Sequence, residues 1–246
     1  MLRDMVIVGI LGAGLCPGVL FCAETQPPDR TLHTDETTSA RLVKTLDVTV
    51  PYGSDENSLG FVPAGDEHEA LGPNAFEVKN ASTFMVNDIA RHKFFSVRLG
   101  SGGRAAVTVV SASIPWRQLE PRMDASGVRV VKTGAETGEI VFGSGAGERH
   151  VAIEAGGPLA SLNLIGVDDA GRAFVLVERF RQVGRTEIDR EVMVLDRQGA
   201  LVTRLAITDI PAIPMLREFF LAEDGALYRM APGVAAVRFT RFEVRP

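Results

Sequence analysis

Residues 72–99 read "GPNAFEVKNASTFMVNDIARHKFFSVRL". Two apolar runs flank the small polar turn Asn80-Ala81-Ser82, and a second polar stretch carries the chain into a third run. Runs of about half a dozen residues rich in Phe and Val, bounded by Asn and Ser, read as antiparallel strands joined by tight turns. The pattern recurs. "NLIGVDDAGRAFVLVERF" (163–180) turns at Asp168-Asp169-Ala170-Gly171 between two apolar runs. "REFFLAEDGALYRMAPGVAAVRFTRFEV" (217–244) turns at Glu223-Asp224-Gly225 and continues into a third run. Asp-Gly suits such turns because Gly takes φ > 0 without a Cβ clash and Asp hydrogen-bonds its neighbouring backbone.

"VRVVKTGAETGEIVFGSGAGERHVAIEA" (128–155) supplies another meander, with turns at Gly134-Ala135 and from Gly143 to Gly147. "RLVKTLDVTV" (41–50) offers the first strand, with Leu42, Leu46, Val48 and Val50 as its apolar positions. No long amphipathic helix is visible, since "PWRQLEPRM" (115–123) holds one helical turn at most before Pro121. The fold class is all-β. A hairpin plus a strand, repeated every few tens of residues, is the signal for radial β-sheet repeats.

The ends of the chain differ from its body. Arg3 precedes an apolar run from Met5 to Leu15, and a short stretch ends "FCAE" around Ala23. A charged start, an apolar run too short to span a bilayer comfortably and a small residue describe a secretory signal peptide over residues 1–23, the alternatives being an uncleaved membrane anchor or a buried terminal strand. Bulky Phe21 before Cys22 fits lipid attachment badly. Residues 24–40 are Pro, Thr, Asp and Glu with almost no apolar residue, a disordered linker, so the folded domain is expected over 41–246. Cys16 and Cys22 are the chain's two cysteines. Removing the leader therefore removes disulfides, thiolate zinc sites and cysteine nucleophiles together. The protein is expected to be secreted or periplasmic, with no stable membrane insertion after the leader is lost.

A net charge of −5 argues against nucleic acid, which needs clustered positive charge. Acids gather before Glu77, whereas the chain after Gly171 is Arg-rich and lacks Lys. The alternating signs of "ERFRQVGRTEIDRE" (178–191) read as a solvated face.

"VPYGS", "LGFVP", "LGPNAFEV" and "FFLAEDGALYRM" resemble exported bacterial β-propeller proteins with NHL-like repeats. Tyr52, Gly53, Gly60, Gly72, Pro73, Phe76, Val78 and Arg91 match that pattern. Asn87 stands where the family has Asp, Ala90 where it has Asn, and Ala81-Ser82 replaces the Asp-Gly turn. The resemblance covers about half of the chain beyond the leader and rests mostly on structural motifs. It implies a β-propeller-like domain. The length suits four or five blade-like antiparallel sheets, as a closed or an incomplete ring.

No metalloprotease helix, phosphate loop, serine elbow or dinucleotide fingerprint is present. "GSGAGE" (143–148) lies between strand-like runs with no helix behind it, which makes it a hairpin turn. His33, His68, His92 and His150 lack metal-ligand spacing. The Asp168-Asp169 pair sits in a repeated turn, so its role is structural before it is catalytic. Trp116 reads first as a packing residue. The long segment 51–73, "PYGSDENSLGFVPAGDEHEALGP", is the most distinctive. Loops of this length inside compact domains are uncommon and often functional. Its polar groups Asp55, Glu56, Asp66, Glu67, His68 and Glu69 form the candidate binding loop, with Leu59, Phe61 and Val62 as anchors. The carboxylates lack the spacing of a calcium loop, and no cofactor is expected.

Two functions fit. The leading one is a non-catalytic exported propeller that binds a protein, peptide or glycan through its loop face. The alternative is a propeller-type lactonase or hydrolase with a metal in the central channel, for which Asn87, Asp88 and Asp168 are the oxygen ligands to examine.

Overall fold

The computed structural model describes residues 40–100, 104–110, 127–143, 147–154, 156–181 and 187–246. The leader, all of the linker but its last residue, His33 and Trp116 lie outside them, as does part of the Gly143–Gly147 turn. The opening stretch forms β2 (Pro73–Asn80), β3 (Thr83–Asp88) and β4 (Lys93–Leu99), joined at the expected turns, and β5 (Ala105–Val110) completes the sheet. A three-stranded sheet follows, β6 (Arg129–Lys132), β7 (Thr137–Phe142) and β8 (Arg149–Glu154). The next meander is β9 (Leu159–Val167), β10 (Ala173–Phe180), β11 (Ile188–Leu195) and β12 (Leu201–Ile207). The last sheet holds β13 (Phe219–Leu221), β14 (Leu227–Pro232) and β15 (Ala236–Arg245), and β1 (Arg41–Pro51) pairs antiparallel with β15. The fold is therefore all-β, with four antiparallel sheets.

The sheets pack face on face, and burial follows from that. The first five residues of β10, "AFVLV", are all buried, because a central strand with a sheet against each face needs apolar side chains on both. One face of β10 joins Val175 and Val177 to Ile140 and Ile153 of the β6–β8 sheet. The other joins Phe174 and Leu176 to Phe219, Leu227 and Phe242 of the last sheet. A third cluster packs the last sheet on β2–β5, with Phe84 stacked on Phe239 at 4.8 Å. Outlying β12 keeps a half-exposed, mixed pattern. The sheets thus follow in series β2–β5, last sheet, β9–β12, β6–β8, each bonded to the next by apolar burial.

Cross-sheet contacts align the strand ends. The Asn74 carbonyl accepts the Leu216 N–H at 2.8 Å, placing the start of β2 beside the approach to β13. The Leu159 N–H donates to Ala135 O at 2.6 Å, placing the β6–β7 turn at the start of β9. At the opposite end, a Cβ on Gly225 would lie 2.7 Å from Asp168 Oδ2, and one on Gly199 would lie 2.3 Å from Val151 Cγ2. One end of the molecule therefore gathers the long connections 52–72 and 208–218 with the turns 89–92, 133–136 and 233–235. The other gathers short turns at 81–82, 168–172, 196–200 and 222–226.

Candidate functional site

The long loop divides into a packed half and an exposed half. Leu59 is fully buried in the cluster between the last sheet and β2–β5. Asp88, fully buried at the end of β3, accepts the Gly60 N–H at 2.7 Å through one oxygen. Its other oxygen accepts the Ala90 and Arg91 N–H groups at 3.0 and 3.2 Å. Burial pushes the Asp88 carboxyl up in pKa and outweighs the opposing pull of these amides and of Arg91. Arg91 Nη2 donates to Gly53 O at 2.5 Å and lies so close to Gly60 that a Cβ there would sit 2.6 Å from its Nε. Tyr52 stacks on Phe61 at 5.3 Å and donates its hydroxyl to Gly233 O at 3.0 Å. Burial, then the Asp88 charge, raises that hydroxyl far above its ordinary pKa. Gly53, Leu59 and Gly60 are thus built into the fold around Asp88 and Arg91, and Phe61 anchors on Tyr52, whereas Val62, also expected as an anchor, is exposed.

Beyond Phe61 the chain runs out over the surface. A single bridge, Val62 with Leu71, closes the outer half, and Gly65 N–H donates to His68 O at 3.0 Å. Asp55, Glu56, Asp66, Glu67, His68 and Glu69 are all exposed, as the sequence suggested for a binding loop. They form two groups. Asp55 caps the Asn57 N–H at 2.9 Å, and Glu56 pairs with Lys93 at 3.3 Å. Asp66, Glu67 and Glu69 occupy the outer turn and pair with no cation among the described residues. Among those residues no three His, Cys, Asp or Glu side chains gather as a metal site.

The oxygen ligands proposed for a channel metal are held apart. Asn87 donates to Asn74 Oδ1 at 2.6 Å, and Asp88 is occupied as described. Asp168 lies at the opposite end of the molecule, where it accepts Arg172 Nε at 2.6 Å and the Arg172 N–H at 2.8 Å. It shapes the turn that Gly171 completes at φ 74°.

Sequence reasoning did not foresee an ion network between β9–β12 and the last sheet, near the loop end. Glu218, just before β13, accepts Arg190 Nη1 at 3.1 Å and Nη2 at 2.5 Å. It also accepts Arg229 Nε at 2.7 Å. Arg190 reaches Glu178 at 2.7 Å, and Arg229 pairs with Asp209. The Glu218, Arg190 and Arg229 side chains are each under a tenth exposed. Burial alone would lower the Arg190 pKa, but Glu218 and Glu178 hold it above its ordinary value. Among the described residues of the stretch read as a solvated face, Arg190 is therefore interior and Glu178 is partly buried beside it. Arg181, Glu187 and Asp189 remain exposed, whereas Glu178 and Arg190, directly paired across β10 and β11, face the next sheet.

The two ends differ in what they present. All six exposed large hydrophobic residues among the described ones, Val62, Val131, Phe180, Ile210, Leu216 and Val234, lie at or next to the loop end. Ile210, Leu216 and Val234 are each about two-thirds exposed or more, and the Ala212 N–H bond to Pro232 O brings their loops together. The opposite end is tied down by arginines. Arg197 donates to Ala170 O at 2.7 Å and Asp169 O at 3.2 Å, and Arg149 donates to Arg197 O.

No family model and no curated protein matches this chain. Among solved structures, a member of the DUF4221 family from Bacteroides vulgatus is similar over 85% of this chain and 99% of its own, at 8% identity and a TM-score of 0.33. A likeness that distant carries no function to this protein.

Proposed function

We propose that this protein is an exported, non-catalytic binding module whose four sheets are the blades of a propeller-like fold, as a closed or an incomplete ring, and whose loop end takes a protein, peptide or glycan. The ring reading is supported by the pairing of β1 with β15, through which the first and last described strands complete one sheet. It is also supported by β13 lying against both β9 and β2, with strand ends aligned where neighbouring sheets meet. The observation that carries the binding reading is the gathering of the exposed large hydrophobic side chains at the end that also bears the carboxylate loop. Exposed apolar groups rimmed by polar ones mark interaction surfaces. Export rests on the leader, and sequencing the protein from its producing cell should begin near Glu24; a start at Met1 would refute cleavage.

Binding is tested by screening the purified protein on a displayed random-peptide library and a glycan array. Hits are then measured against Leu216→Ser/Val234→Ser at the loop end and Asp169→Ala/Gln198→Ala at the opposite end. The loop-end pair should weaken binding at least tenfold and the opposite pair less than twofold. The reverse ranking would overturn the proposal.

A further inference from the structure

We infer that the loop end recognises a cationic segment of protein that also carries apolar side chains; this rests on the loop end being the binding face. The apolar half follows from Ile210, Leu216 and Val234, aliphatic tips standing in water on neighbouring loops. They offer area to bury but no hydrogen-bond donors. The cationic half follows from which charges at this end are already satisfied. Among the described residues at this end the bases are engaged: Lys93 pairs with Glu56, Arg181 with Glu187 and Asp189, Lys132 donates to Leu159 O and Arg91 to Gly53 O, and half-buried Arg217 is set against the Glu77 charge. The carboxylates of Asp66, Glu67 and Glu69 are exposed and have no cation among the described residues. What the described residues of this surface leave uncompensated is negative, so a complementary partner supplies Lys or Arg beside its apolar contacts. The same carboxylates repel anionic lipid headgroups and nucleic acid, which removes those partners on charge.

The test pans a random dodecapeptide library against the immobilised full chain and measures resynthesised peptides by fluorescence anisotropy. Enriched sequences should combine Lys or Arg with Leu, Ile, Val or Phe. Their affinity should fall at least tenfold in Asp66→Asn/Glu67→Gln/Glu69→Gln and at least tenfold in Ile210→Ser/Leu216→Ser/Val234→Ser. Raising salt from about 50 to about 300 mM should weaken wild-type binding several-fold and leave the carboxamide variant nearly unaffected. All six positions are exposed, so unchanged thermal melts confirm that the variants fold. Neutral or acidic binders that lose affinity in the serine variant would overturn the cationic partner while sparing the loop end. Binders that respond only to Asp169→Ala/Gln198→Ala would overturn both readings. Enrichment of no peptide, with a glycan-array hit lost in the serine variant, would also overturn the cationic partner and keep the loop end.

Discussion

Replacing Glu218 by Gln removes one charge and almost no volume from the interior, so its cost reports on the buried network alone. Glu218 accepts three hydrogen bonds from Arg190 and Arg229 through two oxygens. The amide keeps one oxygen and turns an NH2 group toward a guanidinium that needs an acceptor. Breaking a buried ion pair by removing one partner costs about 3–5 kcal/mol. Here Arg190 keeps Glu178 and Arg229 keeps Asp209, which places the expected loss below that range, at about 2–3 kcal/mol. For a domain of this size that corresponds to a fall in Tm of about 5–10 °C. Urea unfolding followed by circular dichroism should show a lower midpoint with an unchanged slope. Asp209→Asn serves as the control. Its side chain is nearly half exposed and Arg229 retains Glu218, so it should cost no more than about 1 kcal/mol. A Glu218→Gln loss under about 1 kcal/mol at equal slope would show that water screens the network, and the interior placement of these charges would be refuted.

Leu59→Ala should cost about 2–4 kcal/mol in urea unfolding, since Leu59 is fully buried; a loss under about 0.5 kcal/mol would show that 52–60 is surface loop after all. By contrast, replacing Asp55, Glu56, Asp66, Glu67 and Glu69 together by Asn or Gln should change stability by no more than about 1 kcal/mol, because all five are exposed. Gly225→Val should cost at least about 2 kcal/mol, from its φ of 78° and from a Cβ 2.7 Å from Asp168 Oδ2 and Arg172 Nη2; an unchanged melting temperature would place the turn elsewhere. Asp47 is held at a pKa of about 2, chiefly by its hydrogen bonds from Arg238, with Lys44 adding to the effect. A depressed carboxyl pKa stabilises the fold above its ordinary value and loses that contribution as pH falls toward 2. Asp47→Asn should therefore be less stable than wild type at pH 6, by under about 1 kcal/mol because the pair is largely exposed, and the gap should close near pH 2.

Much of the strand order was legible because it depends on neighbours in the chain. Apolar runs separated by Asn80-Ala81-Ser82, by Asp168 to Gly171 and by Glu223 to Gly225 are read within a few residues, and each became the hairpin its turn chemistry demands. The exposure of Asp66, Glu67 and Glu69 was legible for the same reason, since adjacent acids among Gly and Pro have no local partner to bury them. Other features depend on residues far apart in the chain. Alternation in "ERFRQVGRTEIDRE" separates two faces of a strand, but nothing local says that one face meets another sheet. Glu218 and Arg229, which turn Arg190 from a solvated residue into an interior one, arrive only with the packing of β13 and β14. Likewise Asp88 appeared as a free oxygen ligand until the fold brought the Gly60 amide to it from 28 positions away. The sequence by itself determined strands, turns and solvated carboxylates, because backbone propensity and solvation act over a few residues. The tertiary structure alone decided which charges are buried and which end is left open, because burial depends on what the rest of the chain places against a face.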